Sequence, residues 1–196
     1  TEPGLQLVAG PFAAAAQTGG AQVYATQVVD ASNAVIPDTA YVAIGALYDF
    51  EIRGLTEAGR SARIVLPLPV TLPPHASWRK LGADGLWGDF SISGTDAIHT
   101  AASVNGQCPA LSDATWQAGL LAGMDCVRLT LSDGGPNDAD GAADGVIRDP
   151  GGPAIPRTVV TTDRPEGSQT GGSVDAAWWL LAGLLGLARM RRKESV

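Results

Sequence analysis

Between Gln22 and Leu131 apolar and polar side chains alternate in short runs, and no segment before residue 176 repeats with the 3.6-residue period of an amphipathic helix. A period of two puts neighbouring side chains on opposite faces of an extended strand, so each run buries one face and needs a second layer to bury it against. The clearest run is Tyr41 to Arg53: Tyr48, Phe50 and Ile52 share one face, and Asp49, Glu51 and Arg53 the other, which reads as core against water. Gly54 and the Ala58-Gly59 pair interrupt it, and Ala62, Ile64, Leu66, Leu68 and Val70 resume on a single parity, predicting a β-hairpin. Pro67 and Pro69 fall on the opposite parity; without amide donors they suit an edge strand, or a strand leaving its sheet. Ser77 to Leu81 and Leu86 to Ile92, joined by the turn Ala83-Asp84-Gly85, form a further pair, and Cys126 to Leu131 alternates once more. The expected fold is all-β: an antiparallel β-sandwich, Ig-like or related, of about six to eight strands, with a C-terminal linker and a single hydrophobic helix.

An apolar content of 45% supports such a core, and 25 Gly with 13 Pro supply its turns. The sandwich is expected over residues 22–153. Residues 1–21 carry little pattern and read as the end of an upstream domain; the start at Thr1, without Met or an apolar leader, reads as part of a longer or processed precursor. Residues 154–173 lose apolar pattern and gain Pro, Thr, Ser and Gly, the composition of a linker. The formal net charge is −7, yet the last eight residues carry +3. No basic groove remains for phosphates, so a nucleic-acid partner is not expected.

Residues 176–188, AAWWLLAGLLGLA, are apolar on every face, and Arg189, Arg191, Arg192 and Lys193 follow. Thirteen residues fall short of the about 20 that span a bilayer, but Trp178 and Trp179 suit one interface and the basic cluster can snorkel to the other. Residues 174–196 therefore read as a membrane-inserting helix with a basic tail. Gly171-Gly172-Ser173, the apolar stretch and the terminal cluster together resemble the GlyGly-CTERM sorting signal of Gram-negative bacteria. The resemblance implies cleavage by a rhombosortase-like intramembrane protease and export through the type II secretion machinery. A transient inner-membrane stage would then precede display at the cell surface or release, with Gly171, Gly172 and Ser173 as the processing motif. Asp175, a charge beside the helix, departs from the pattern and leaves the cleaved bond open.

In the oxidising compartment which that signal implies, Cys108 and Cys126, the two cysteines of the chain, read as a disulfide. A metal site or a reactive thiol is the weaker reading, because no His lies close in sequence.

The stretch from Ser132 to Ala154, SDGGPNDADGAADGVIRDPGGPA, is dense in Asp and Gly. Asp133, Asn137, Asp138, Asp140, Asp144 and Asp149 offer hard oxygen donors on a chain that turns sharply, which makes them candidate Ca²⁺ ligands. It is not an EF-hand: with Gly141 at the sixth position, Pro136 and Ile147 would stand where carboxylates are required. The competing reading is a set of Asx-turns satisfied by local backbone without metal.

Cys108-Pro109, Gly119-Leu120, Cys126-Val127-Arg128-Leu129 and the Asp133 to Pro153 string resemble the choice-of-anchor U domain of bacterial surface proteins. YDFEIRGLTEAG, ARIVLPLPVTLPP and the Trp87 hairpin extend the resemblance over roughly residues 40–154, with Asp144 where Asn is expected. It implies placement and presentation, and brings no catalytic mechanism.

His75 and His99 each stand alone, and no Gly-x-Ser-x-Gly elbow, His-Glu-x-x-His helix or phosphate loop occurs. A glycosidase built on Asp49 and Glu51 would need an enclosed cleft with aromatic platforms. The chain is therefore read as a non-catalytic display module of an exported protein. Two alternatives stand beside it: an adhesion or carbohydrate-binding module using exposed Trp78, Trp87 and Trp116, and a fragment of a secreted hydrolase with its active site upstream of Thr1.

Overall fold

In the computed structural model, which describes residues 1–158, two antiparallel sheets pack face to face as a β-sandwich. The elements are β1 (Gln6–Ala9), α1 (Pro11–Ala16), β2 (Gln22–Val23), a 3-10 turn (Ala25–Gln27), β3 (Tyr41–Ala43), β4 (Leu47–Arg53), β5 (Ser61–Pro67), β6 (Ser77–Leu81), β7 (Trp87–Asp89), β8 (Ala97–Ala101), β9 (Gln117–Ala118), β10 (Cys126–Ser132) and β11 (Ile147–Pro156). One sheet runs β1-β4-β11-β6-β7, with β2 added to β4 and β3 to β11; the other runs β5-β10-β8-β9.

The period-two pattern holds where it is strongest. Tyr48, Phe50 and Ile52 of β4 meet Ile64 and Leu66 of β5 and Val127, Leu129 and Leu131 of β10, all buried between the sheets. Trp78 of β6 joins them, its ring stacked on Tyr48 at a centroid distance of 6.1 Å. The β6–β7 pair forms as expected, with Leu81 opposite Trp87. β5 is an edge strand, which accommodates Pro67.

Four expectations are corrected. Tyr41 to Arg53 is two strands, β3 and β4, with Gly45 at a positive φ of 71° between them. β4 and β5 are not a hairpin: β4 pairs with β1, β2 and β11, whereas β5 pairs with β10 in the opposite sheet. The turn with positive φ at Gly54 and Gly59 carries the chain from one sheet to the other, so alternation fixes which face each strand buries but not which strand it pairs with. Eleven strands occur among the described residues, because several are only two to four residues long.

The fourth correction concerns the Asp-Gly string. Its last part, Ile147–Pro156, is a ten-residue strand lying between β4 and β6, although Pro150, Gly151, Gly152 and Pro153 argue against a central strand. The contradiction resolves through staggered pairing. β4 pairs with residues 147–151 and β6 with residues 151–154, so at Pro150 only one side of the strand carries a ladder. The missing amide of Pro150 therefore breaks nothing on the β6 side.

Residues 1–21 contribute β1, paired along β4, and α1, and belong to the same compact unit as the rest of Thr1–Thr158. Phe12 and Ala13 of α1, with Val23, Val28, Leu47 and Leu81, form a second apolar cluster on the outer face of the larger sheet. The face of β4 assigned to water is therefore covered at Asp49, which is only 1% exposed. A third cluster, of Ala101, Trp116 and Cys126 with Cys108, covers part of the smaller sheet.

Candidate functional site

Several acidic, amide and amine side chains are buried: Asp49, Lys80, Asp96, Asp133, Asn137, Asp138 and Asp149. Burying a charge is costly unless it is paired or hydrogen-bonded, so the partner of each group reveals its role. Asp49 lies under α1 and accepts the N–H of Ala13 at 2.8 Å, acting as a cap supplied from a distant strand. Burial pushes its carboxyl above the usual range, against the N–H groups of Ala13 and Phe12.

Asp133 gathers three backbone segments. Its Oδ2 accepts the N–H of Gly59 at 2.7 Å and of Gly145 at 2.9 Å, and its Oδ1 that of Asp144 at 3.2 Å. Asp138 accepts the N–H of Gly134 at 2.9 Å and of Arg148 at 2.9 Å. Burial still pushes its carboxyl up to about 6. Asn137 accepts the N–H of Ser91 at 2.8 Å and donates to the Ser91 carbonyl at 2.7 Å and to Oδ2 of Asp96 at 2.6 Å. Asp140 and Asp144 are exposed and pair with Arg148. The Val146 N–H and then Arg148 hold the Asp144 carboxyl below its ordinary value. Asp149 is not in the loop at all: on β11 it faces the core, against Nζ of Lys80.

In this structure the oxygens of Asp133 and Asp138 accept N–H groups, those of Asp140 and Asp144 meet Arg148 and adjacent N–H groups, and Asp149 meets an ammonium. Among the described residues no three His, Cys, Asp or Glu side chains gather as metal ligands. The contacts of Asp140 with the Ala142 N–H and of Asp144 with the Val146 N–H are Asx-turns.

Cys108 and Cys126 form a disulfide with a Cα–Cα distance of 5.6 Å. His75 is exposed in a turn at φ 62°. His99, on β8, is half-buried, and burial followed by the nearby Arg128 holds its imidazole below the ordinary value. No carboxylate or hydroxyl partners its buried Nδ1 among the described residues.

The aromatic expectation is corrected in part. Trp78 lies in the main core at 2% exposure, and Trp116 is buried beside the disulfide with Arg128 over its ring, so neither offers a binding platform. Trp87 is half-buried, with its indole N–H donating to the Ile36 carbonyl at 3.0 Å. It lines a groove of about 490 Å³ with Tyr24, Tyr41, Ile36 and Arg79. Arg79 is held there by Asp38 at 2.7 Å and Asp89 at 2.6 Å beneath the Tyr41 ring. Periodicity could not reveal this groove, because Tyr24 and Tyr41 reach it from opposite sides of an irregular connection.

Gly171, Gly172, Ser173, Trp178, Trp179, Arg189, Arg191, Arg192 and Lys193 lie outside the described residues. Among the described residues no helix is long and apolar enough to cross a membrane. Compared with known protein families, curated proteins and solved structures, the chain matches none.

Proposed function

We propose that the chain is a non-catalytic display module of an exported Gram-negative protein: a disulfide-stapled, Ig-like or related sandwich followed by a removable C-terminal sorting signal. The observation that carries the reading is the order of the tail, in which Gly171-Gly172-Ser173 is followed by an apolar stretch with a Trp pair and then a basic cluster. The sandwich supports it by the use of its polar groups, since Asp49, Asp133, Asn137 and Asp138 all hold backbone or loops. In this reading the type II machinery exports the chain, the helix holds it briefly in the inner membrane, and a rhombosortase-like protease releases it to the surface or the medium. The test is fractionation of a Gram-negative host that has such a protease. The wild-type chain is expected at the surface or in the medium, and a Gly171→Leu, Gly172→Leu double variant in the inner membrane. Equal release of both would refute the processing motif.

Calcium is not needed in this reading, because Asx-turns satisfy the acidic loop. Titration of the chain with Ca²⁺ is expected to leave the melting temperature unchanged; a clear rise would return the loop to the role of a metal site.

The groove favours a second reading, binding of an oligosaccharide. Tyr24, 67% exposed, and the half-buried Trp87 and Tyr41 offer faces for sugar rings, with Arg79 and Asp38 as polar groups to orient them. A glycan array probed with the wild type and with Tyr24→Ala tests it: signal lost in the variant supports the groove, and an array without signal removes it.

A further inference from the structure

Lys80 and Asp149 are both buried, at 6% and 0% exposure. On β6, Lys80 shares its face with Trp78; on β11, Asp149 shares its face with Ile147 and pairs with Phe50, so both side chains point between the sheets. Nζ of Lys80 lies against Oδ1 of Asp149. Among the described residues no further hydrogen bond completes either group: the ammonium and both carboxylate oxygens are buried without other partners. A buried ion pair persists at low cost only when additional hydrogen bonds satisfy its remaining protons and lone pairs, and the described residues supply none.

The backbone is shaped to bring these two groups together. Lys80 stands opposite Gly151, and Asp149 is the next residue of β11 on the same face. A Cβ at Gly151 would stand 3.0 Å from Cδ of Lys80 and 3.0 Å from Oδ1 of Asp149. The glycine is therefore the gap through which the lysine stem crosses to the carboxylate.

We propose that Lys80 and Asp149 condense into an intramolecular isopeptide bond that cross-links β6 to β11. A proton first passes from the ammonium to the carboxylate. The neutral amine then attacks Cγ of Asp149; the Nζ–Cγ bond forms, the Cγ–OH bond breaks, and the hydroxyl leaves with one amine proton as water. The products are one amide and one water, and neither oxidant nor co-reactant is consumed. Burial favours the neutral starting pair, since it lowers the Lys80 ammonium from its ordinary value and raises the Asp149 carboxyl. Asp96 and Asp138 are the other buried carboxyl groups whose charge acts on Lys80. Proximity supplies the drive: oriented intramolecular partners reach effective concentrations of about 10⁵ M and above. The amide also replaces two buried charges with one neutral group. The bond stands independently of the display reading, and would fasten β11 to β6 near the start of β11.

Mass spectrometry of the full chain tests the proposal. After reduction and denaturation, the wild-type chain is expected to weigh one water less than its sequence. Trypsin should then fail to cut after Lys80 and yield a branched peptide joining the segments that contain Lys80 and Asp149. Lys80→Arg keeps a cation but cannot condense on this path, and is expected at full sequence mass. Asp149→Asn changes the leaving group, so its chain should lose one ammonia instead of one water, a signature that a purely structural pair would not give. A wild-type chain at full mass, cut normally after Lys80, overturns the bond. Loss of water confined to linear peptides, as from a succinimide at an Asp-Gly step, overturns it equally.

Discussion

Asp133 and Asp138 show how single carboxylates organise a stretch that has little apolar content. Asp133 ties Gly59, Asp144 and Gly145 together through N–H groups. Replacing it with Ala strands these donors near the surface of the core and is expected to cost about 3 kcal/mol, read as a lower urea midpoint. Asp138 has the opposite character, since burial raises its carboxyl from 3.8 to about 6. A raised carboxyl binds its proton more tightly in the folded state, so its stabilising contribution is complete below pH 3.8 and is lost as the pH rises through about 6. The swing is at most about 3 kcal/mol. The melting temperature is therefore expected to fall between roughly pH 4 and pH 6, and a scan of Asp138→Ala to be flatter there. An unchanged slope in the variant would assign the dependence to other groups. The candidate carboxylates were legible in the sequence as an Asp-Gly string, but their partners were not. Gly59 is 74 residues from Asp133 and reveals itself only when β5 and β10 align.

At the level of elements, β10 and β4 were legible because their alternation is clean, and β11 was not. Asp149-Pro150-Gly151-Gly152-Pro153 reads as a turn by every local rule, and only the staggered ladders of β4, β6 and β3 turn it into a strand. β8 went unread for a similar reason: Ile98-His99-Thr100-Ala101 is too short and too small in side chain to stand out. Gly151 marks the cost of the arrangement. A Cβ there would meet the Arg79 carbonyl oxygen at 2.5 Å, so Gly151→Ala is expected to part β11 from β6 and lower the melting temperature well beyond an average surface change. Gly141→Ala, where a Cβ would meet nothing within 4 Å but φ is +64°, provides the comparison for backbone strain alone. Outside the sheets, the disulfide anchors the 108–126 connection beside Trp116. Its removal by paired Cys→Ser substitution is expected to cost about 3 kcal/mol in the chain-entropy account, measured as a lower denaturant midpoint.

For the whole molecule, alternation and Gly and Pro turns were enough to read an antiparallel sandwich. The division between the two sheets was not readable, because a strand's own pattern does not name its neighbour. The hairpin expected of β4 and β5 failed at that point, and so did the boundary that set residues 1–21 apart from the sheet they complete. The tail dominates the function proposed for the chain. Residues 174–196 hold four basic and two acidic residues, so removing them takes the net charge from −7 to −9. The most direct test is the intact mass of protein recovered from the surface or medium of a Gram-negative host with a rhombosortase-like protease. The account predicts a chain that ends near Gly171-Gly172-Ser173 and lacks the peptide containing Trp178 and Trp179; a recovered chain that retains this peptide would contradict it.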